Sequence, residues 1–254
     1  MTMSALSIHG PNKHGGIGLP DYNVSLAVME LTQRLEPSKH TKLVEFIPHP
    51  QKQVAVDLST NEPLRVQGDT LWIDMPSFGY TELETWHEFG GDYKDPCDTT
   101  LESKQRDRWA NLNAFLAHLT QAADIHYPPA DEEVRASPLD KSLRAIWSMV
   151  MALENERPPA SLGDTAAMEA ACRWFIYAAK RLWANVLNSR TYPKVSGAGS
   201  GKRYKEEIWA GYTRDRWGFW DDALEEARAK CQDEWMWKLI DDALVSLRRG
   251  MVNQ

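Results

Sequence analysis

Apolar residues recur along this chain at the three-four spacing of helices, and the breaks between the runs fall at Pro and Gly. From Asp21, the positions Val24, Val28, Leu31 and Leu35 mark one helical face that stops before Pro37, and Ser38 to Ile47 suit a second, short helix. Residues 48–70 form a Pro-punctuated connector in which QVAVDL reads as a short strand, too isolated to define a sheet. A capping box, Thr81 with Glu84, predicts a helix opening at Thr81 and ending at Gly90-Gly91. A second, Thr99 with Glu102, predicts a longer helix with the stripe Trp109, Leu112, Leu116, Leu119 and Ala123, ending near Pro128-Pro129. Ser137-Pro138 suits the start of the next helix, whose stripe Leu143, Ile146, Trp147 and Val150 ends before Pro158.

Between Asp164 and Asn188 runs the most apolar helix. Met168, Cys172, Phe175, Ala179, Leu182 and Val186 share one face, which Trp174, Ile176, Tyr177 and Trp183 widen, so this helix is expected at the centre with others around it. After a Gly/Ser loop at 196–201, helices over about 213–229 and 232–248 complete the chain, the last with the stripe Trp235, Leu239, Ala243 and Leu247. Residues 1–20, rich in Gly, Asn, His and Pro and without a period, read as a mobile arm. The sum is an all-α fold: one globular domain over 21–250 built from seven or eight amphipathic helices.

Composition sharpens this picture at one point, the eleven tryptophans, all between Trp72 and Trp237. Each buries roughly 150–250 Å² when packed, about 4–6 kcal/mol at about 25 cal/mol/Å² as an upper bound, so most belong in the core and the remainder line a groove or interface. A net charge of −7 argues against a general affinity for nucleic acid. No apolar stretch approaches the ~20 residues of a membrane span and the start lacks a secretory profile, so the expected setting is cytoplasmic, with no membrane partner. Cys97, Cys172 and Cys231, odd in number and widely spaced, predict free thiols.

Four stretches, LWIDMPSFG (71–79), RWANLNAFLAHLT (108–120), RWFIYAAKRLW (173–183) and IWAGYTRDRWGFW (208–220), resemble in order and spacing a fungal domain family of unknown function, DUF3632. The resemblance covers about residues 70–230. It implies a fungal, soluble, mostly helical protein, and it carries over no catalytic residues.

The familiar chemical motifs fail residue by residue. SGAGSGKR at 196–203 has Ser196 where a phosphate-binding loop needs Gly, and Arg203 where it needs Ser or Thr. His87-Glu88 begins a zinc motif whose second His is replaced by Gly91, and His9 and His14 have no ligand partners at metal spacing, so no metal site is predicted. No GxSxG elbow and no dinucleotide fingerprint is present, so no cofactor is predicted.

What remain are polar groups beside tryptophans. Asp74 follows Trp72 near a Pro turn, where it caps a helix, meets solvent or points inward. Asn113 lies on the edge of the Trp109 stripe, as a bridge between helices or a ligand contact, and Tyr177 on the central helix needs a partner for its hydroxyl. Arg214, Asp215, Arg216, Trp217 and Trp220 open a helix, either as a salt-bridged entry or with Trp217 and Trp220 as the wall of an apolar pocket. In the second case Asp74, His87 and Asp215 are the candidate acid–base groups, and Trp72, Trp109, Asn113, Tyr177, Arg214, Trp217 and Trp220 the candidate binding residues. The leading expectation is thus a cofactor-independent enzyme of fungal secondary metabolism, a cyclase, isomerase or lyase acting on a hydrophobic small molecule. The alternatives are a helical protein-interaction module and a carrier of a hydrophobic metabolite, with self-association left open.

Overall fold

The computed structural model describes residues 19–88, 94–127 and 137–252. Among them nine helices follow in order: α1 (Leu19–Arg34), α2 (Thr41–Phe46), α3 (Pro76–Glu88), α4 (Ser103–Ala122), α5 (Ser142–Ala152), α6 (Pro159–Leu162), α7 (Ala166–Leu187), α8 (Arg214–Lys230) and α9 (Glu234–Val252). The mobile-arm expectation falls on residues of which 1–18 lie outside the described set, and α1 begins within its last two positions.

α7 is the axis of the molecule. Thr165 caps it by accepting the Met168 N–H, and its 22 residues run without Gly or Pro. α4 packs along one side and α9 along another, with α5, α6 and α8 completing its surroundings. The predicted stripes of α4 and α7 are all buried, and one hydrophobic cluster links residues from α1 to α9. α1 and α3 form a second layer against each other, with α1 also resting on α4.

The only sheet among the described residues is a two-residue hairpin, β1 (Arg65–Val66) with β2 (Asp69–Thr70), paired Arg65 to Thr70 and Val66 to Asp69. Gln67 and Gly68 both take left-handed φ at its tip, the geometry that matches strand twist in two-residue turns. In the predicted strand QVAVDL only Val56 pairs, as an isolated bridge to Pro63.

Several element starts differ from the sequence reading. α3 opens at Pro76, whose fixed φ suits a first helical position, so Thr81 sits inside the helix and its hydroxyl bonds back to the Ser77 carbonyl. In α4 the reciprocal cap is made by Glu102 and Gln105 rather than Thr99 and Glu102. Ser137-Pro138 forms a turn, and α5 starts at Ser142 behind Asp140, whose carboxylate accepts both the Ser142 N–H and hydroxyl. Two faces rotate as well. Leu31 is exposed while Asp21, Ser25, Met29 and Thr32 turn inward, and on α9 Met236 takes the core place expected of Trp235, which is 53% exposed. The predicted breaks at Gly90-Gly91 and Pro128-Pro129 lie outside the described residues.

Candidate functional site

Asn113 is fully buried at the centre of the aromatic core. Its Oδ1 accepts from Trp174 Nε1 at 2.9 Å, from the Ser148 hydroxyl at 2.9 Å and from Trp86 Nε1 at 3.4 Å, while its Nδ2 donates to the Trp109 carbonyl at 3.0 Å. One amide therefore joins α3, α4, α5 and α7, with its oxygen accepting from three of these elements.

The helix entry at Arg214–Asp222 contains a second closed network. Arg216 and Glu154 are both 0% exposed. Arg216 Nε donates to Glu154 Oε1 at 2.7 Å and one terminal nitrogen donates to Oε2 at 3.1 Å, while the carbonyls of Ala198, Gly199 and Gly211 take the other N–H groups. Glu154 accepts in addition from Trp220 Nε1 at 2.8 Å and the Gly201 N–H at 2.7 Å. The guanidinium lies 5.2 Å from the Trp209 ring and 5.5 Å from that of Trp220. All five donors of the arginine and four acceptor positions of the carboxylate are used, leaving none for a ligand. The segment SGAGSGKR thus wraps an internal ion pair, presenting carbonyls to the arginine and an N–H to the carboxylate.

Around this network the predicted pocket wall lies inside the core. Trp217, 2% exposed, packs against Phe175, Trp183 and Trp220, and its indole N–H meets no acceptor among the described residues. Trp109 is also buried, with its ring against Trp86. Arg214 is exposed with its guanidinium 5.3 Å from the Trp183 ring, and Asp215 is exposed in the first turn of α8. Asp74 is exposed, and its Oδ2 accepts the Thr70 N–H at 2.6 Å. His87, exposed at the far end of α3, stands edge-on to Trp86, so α3 alone separates it from Asp74 by roughly 17 Å of helix rise. Trp72 is half-buried with a left-handed φ of 69°.

Tyr177 is brought to a groove. Between α4, α7 and α9 a depression of about 200 Å³ is lined by Gln121, Ile176, Tyr177, Ala179, Lys180, Ser246, Arg249 and Gly250. Its floor exists because Gly250 lets α9 approach α7 closely: a Cβ there would stand 3.1 Å from the Ala179 carbonyl oxygen. Lys180 and Arg249 supply positive charge from two helices. Behind Tyr177, the imidazole of His118 stacks at 4.2 Å between ring centroids, and the His40 ring stands 6.2 Å further in. Burial pushes the His118 pKa down to about 4, with the neighbouring His40 adding to the effect, and burial lowers His40 as well.

The sequence reading names Tyr177 as a candidate binding residue, places Ile176 and Ala179 only in the helix stripe, and leaves the other groove residues unread. Gly250 follows Arg248-Arg249 and reads there as a position beyond the last helix, which in the structure continues through it to Val252. A further network, also unread in the sequence, links the loop ends. Asn185 accepts from the Tyr127 hydroxyl at 2.7 Å and donates to Ser142, Tyr212 donates to the Ser142 carbonyl, and Arg190 pairs with Asp140 at 2.5 Å. Among the described residues no group of three or more His, Cys, Asp or Glu is placed to hold a metal ion.

The four sequence blocks fall on the pieces that build these networks: the approach to α3, the Asn113 stretch of α4, the Trp174 stretch of α7 and the Arg216–Trp220 entry of α8. The model of the family described as "Protein of unknown function (DUF3632)" matches residues 26–224. The chain belongs to the DUF3632 family. No curated protein and no solved structure matches it. The DUF3632 match begins within α1 and stops within α8, so α9, with Ser246, Arg249 and Gly250 of the groove, lies beyond the matched residues.

Proposed function

We propose that this DUF3632 protein binds a small amphipathic acid in the groove between α4, α7 and α9 and acts as a carrier of that metabolite. The supporting observation is the pair Lys180 and Arg249. Among the described residues neither has a carboxylate partner, in a protein with 36 acidic and 29 basic residues whose neighbouring Arg248 is held by Asp221 and Glu225. Two cations without an ion-pair partner, lining one groove together with Ile176, Tyr177 and Ala179, suit a carboxylate or sulfonate head with a short apolar body. The volume of about 200 Å³ is below the roughly 300–1,000 Å³ of pockets for drug-sized ligands, which limits the ligand to a small acid.

The carrier reading is preferred to the enzymatic one because the candidate acid–base groups Asp74, His87 and Asp215 are exposed and none of them lines the groove, while Trp217 and Trp220 are committed to the core. The three free thiols, two of them buried, suit a reducing compartment, and no described helix is long and apolar enough to cross a membrane.

Calorimetric titration with benzoate, octanoate and benzenesulfonate tests the reading. Binding that weakens about tenfold or more in Lys180→Gln and in Arg249→Gln, with thermal stability unchanged, is the expected result. Failure of all three acids to bind, or equal affinity in the variants, overturns it.

A further inference from the structure

We propose that occupation of the α4–α7–α9 groove is coupled to protonation of His118, so that the bound anion is held more tightly as the solution becomes acidic. The inference rests on the anion-binding reading of the groove and adds its regulation.

The geometry carries it. His118 projects from α4 against the face of Tyr177, the aromatic wall of the groove, and its Nε2 is buried with no hydrogen-bond partner among the described residues. A buried imidazole nitrogen left without a partner is costly in a structural role and calls for another account. His40, from the turn before α2, is fully buried beside it. Its Nε2 stands 3.1 Å from the Thr32 carbonyl oxygen and 3.0 Å from that of Leu35, which fixes the proton on Nε2 and leaves Nδ1 a bare lone pair, also without a partner.

The charged groups around this pair are three cations and one carboxylate, Glu169, which is engaged by Arg173. On α7, Arg173 lies one turn before Tyr177 and its charge bears on His40, with Glu169 at 3.3 Å as its own counter-ion. Lys180 and Arg249 line the groove together with Tyr177. Among the described residues no carboxylate stands within ion-pair distance of His118, so an imidazolium there is opposed by burial first and by the neighbouring His40, and the ring is neutral at pH 7.

An anion on Lys180 and Arg249 supplies the missing countercharge. At the separation set by one intervening aromatic ring, about 8 Å, the attraction moves the proton equilibrium of His118 by on the order of tenfold. Linkage makes the effect reciprocal: if the anion favours the proton, the proton favours the anion. With the ring half-protonated near pH 4 when empty and about one pH unit higher when occupied, affinity rises about threefold between pH 7.5 and pH 4.5.

The test uses benzenesulfonate, which stays charged throughout that range. Titration calorimetry from pH 7.5 to 4.5, in buffers of different ionisation enthalpy, reads affinity and proton uptake together. Nitrogen NMR of the histidine rings reads the protonation of His118 with and without the sulfonate. Expected are a threefold tightening, fractional proton uptake at the acid end and an upward-shifted His118 titration. His118→Phe, which keeps a ring against Tyr177, should bind at pH 7.5 as the unsubstituted protein does and lose the pH dependence. Binding at pH 7.5 with a flat profile and an unmoved His118 titration overturns the coupling alone. Absence of binding by benzenesulfonate, benzoate and octanoate at pH 7.5 overturns the groove reading, and the coupling with it.

Discussion

Arg216 and Glu154 meet in the interior, 62 positions apart in sequence, with every N–H of the guanidinium and four acceptor positions of the carboxylate engaged by protein groups. Such a pair stabilises little when intact, since both ions are stripped of water, but removing one partner strands the other. Arg216→Met should cost about 3–5 kcal/mol in urea unfolding, and Arg216→Met with Glu154→Leu should cost less than the sum of the two single changes. Strict additivity would show that the two side chains do not act as a unit.

Asn113 supports a parallel expectation with neutral groups. Asn113→Leu removes the acceptor of Trp174, Ser148 and Trp86 at once, and the two donors at 2.9 Å each stand to lose about 1–3 kcal/mol as buried orphans. A loss of about 2–5 kcal/mol is expected, with Ser148→Ala recovering part of it in the double variant because its hydroxyl is then no longer stranded. A stability within 0.5 kcal/mol of the unsubstituted protein would contradict the bridging role.

Three glycines should respond to alanine with different signs. Gly218 on α8 has nothing within 4 Å of an added Cβ, so Gly218→Ala should stabilise by about 0.5–1 kcal/mol through helix propensity. Gly250→Ala would press on the Ala179 backbone at 3.1 Å and should cost about 1–3 kcal/mol while narrowing the groove. Gly201→Ala would drive a methyl into the Glu154 backbone and should cost the most. Thermal unfolding of the three variants ranks them directly.

Acid should destabilise the fold through His118. Its folded pKa of about 4 lies below the ordinary value of 6.5, so between these limits the unfolded chain binds a proton that the folded chain refuses. Stability is full above pH 6.5 and falls on acidification toward pH 4, by up to about 3 kcal/mol from this group, with His40 acting in the same direction. His118→Phe should show a smaller drop between pH 7 and pH 4.5 in parallel urea titrations. An identical drop would remove His118 from the account.

What was legible in the sequence is what depends on neighbours in the chain. The stripes of α4 and α7 are set by helical period alone, and all their members are buried as the spacing requires. Helix starts were less legible because Thr-x-x-Glu occurs where the backbone is already committed: Pro76 begins α3 five residues before Thr81. That Trp217 and Trp220 share a face follows from their three-residue spacing, but the direction of that face is decided by Glu154, which accepts the Trp220 N–H. Lys180 and Arg249 line one groove where Gly250 lets α9 approach α7 closely. No pattern local to either segment carries that information.

The central place of α7 has a consequence during synthesis. Its α4-facing side is covered by a helix already made, but its other side waits for α9, the last of the described helices. At about 5–20 residues per second, the stretch from Leu187 to Val252 takes several seconds to emerge, and throughout that interval a newly made apolar surface faces the cell uncovered. Shortening α9 from its C-terminal end should therefore show itself first as aggregation on expression.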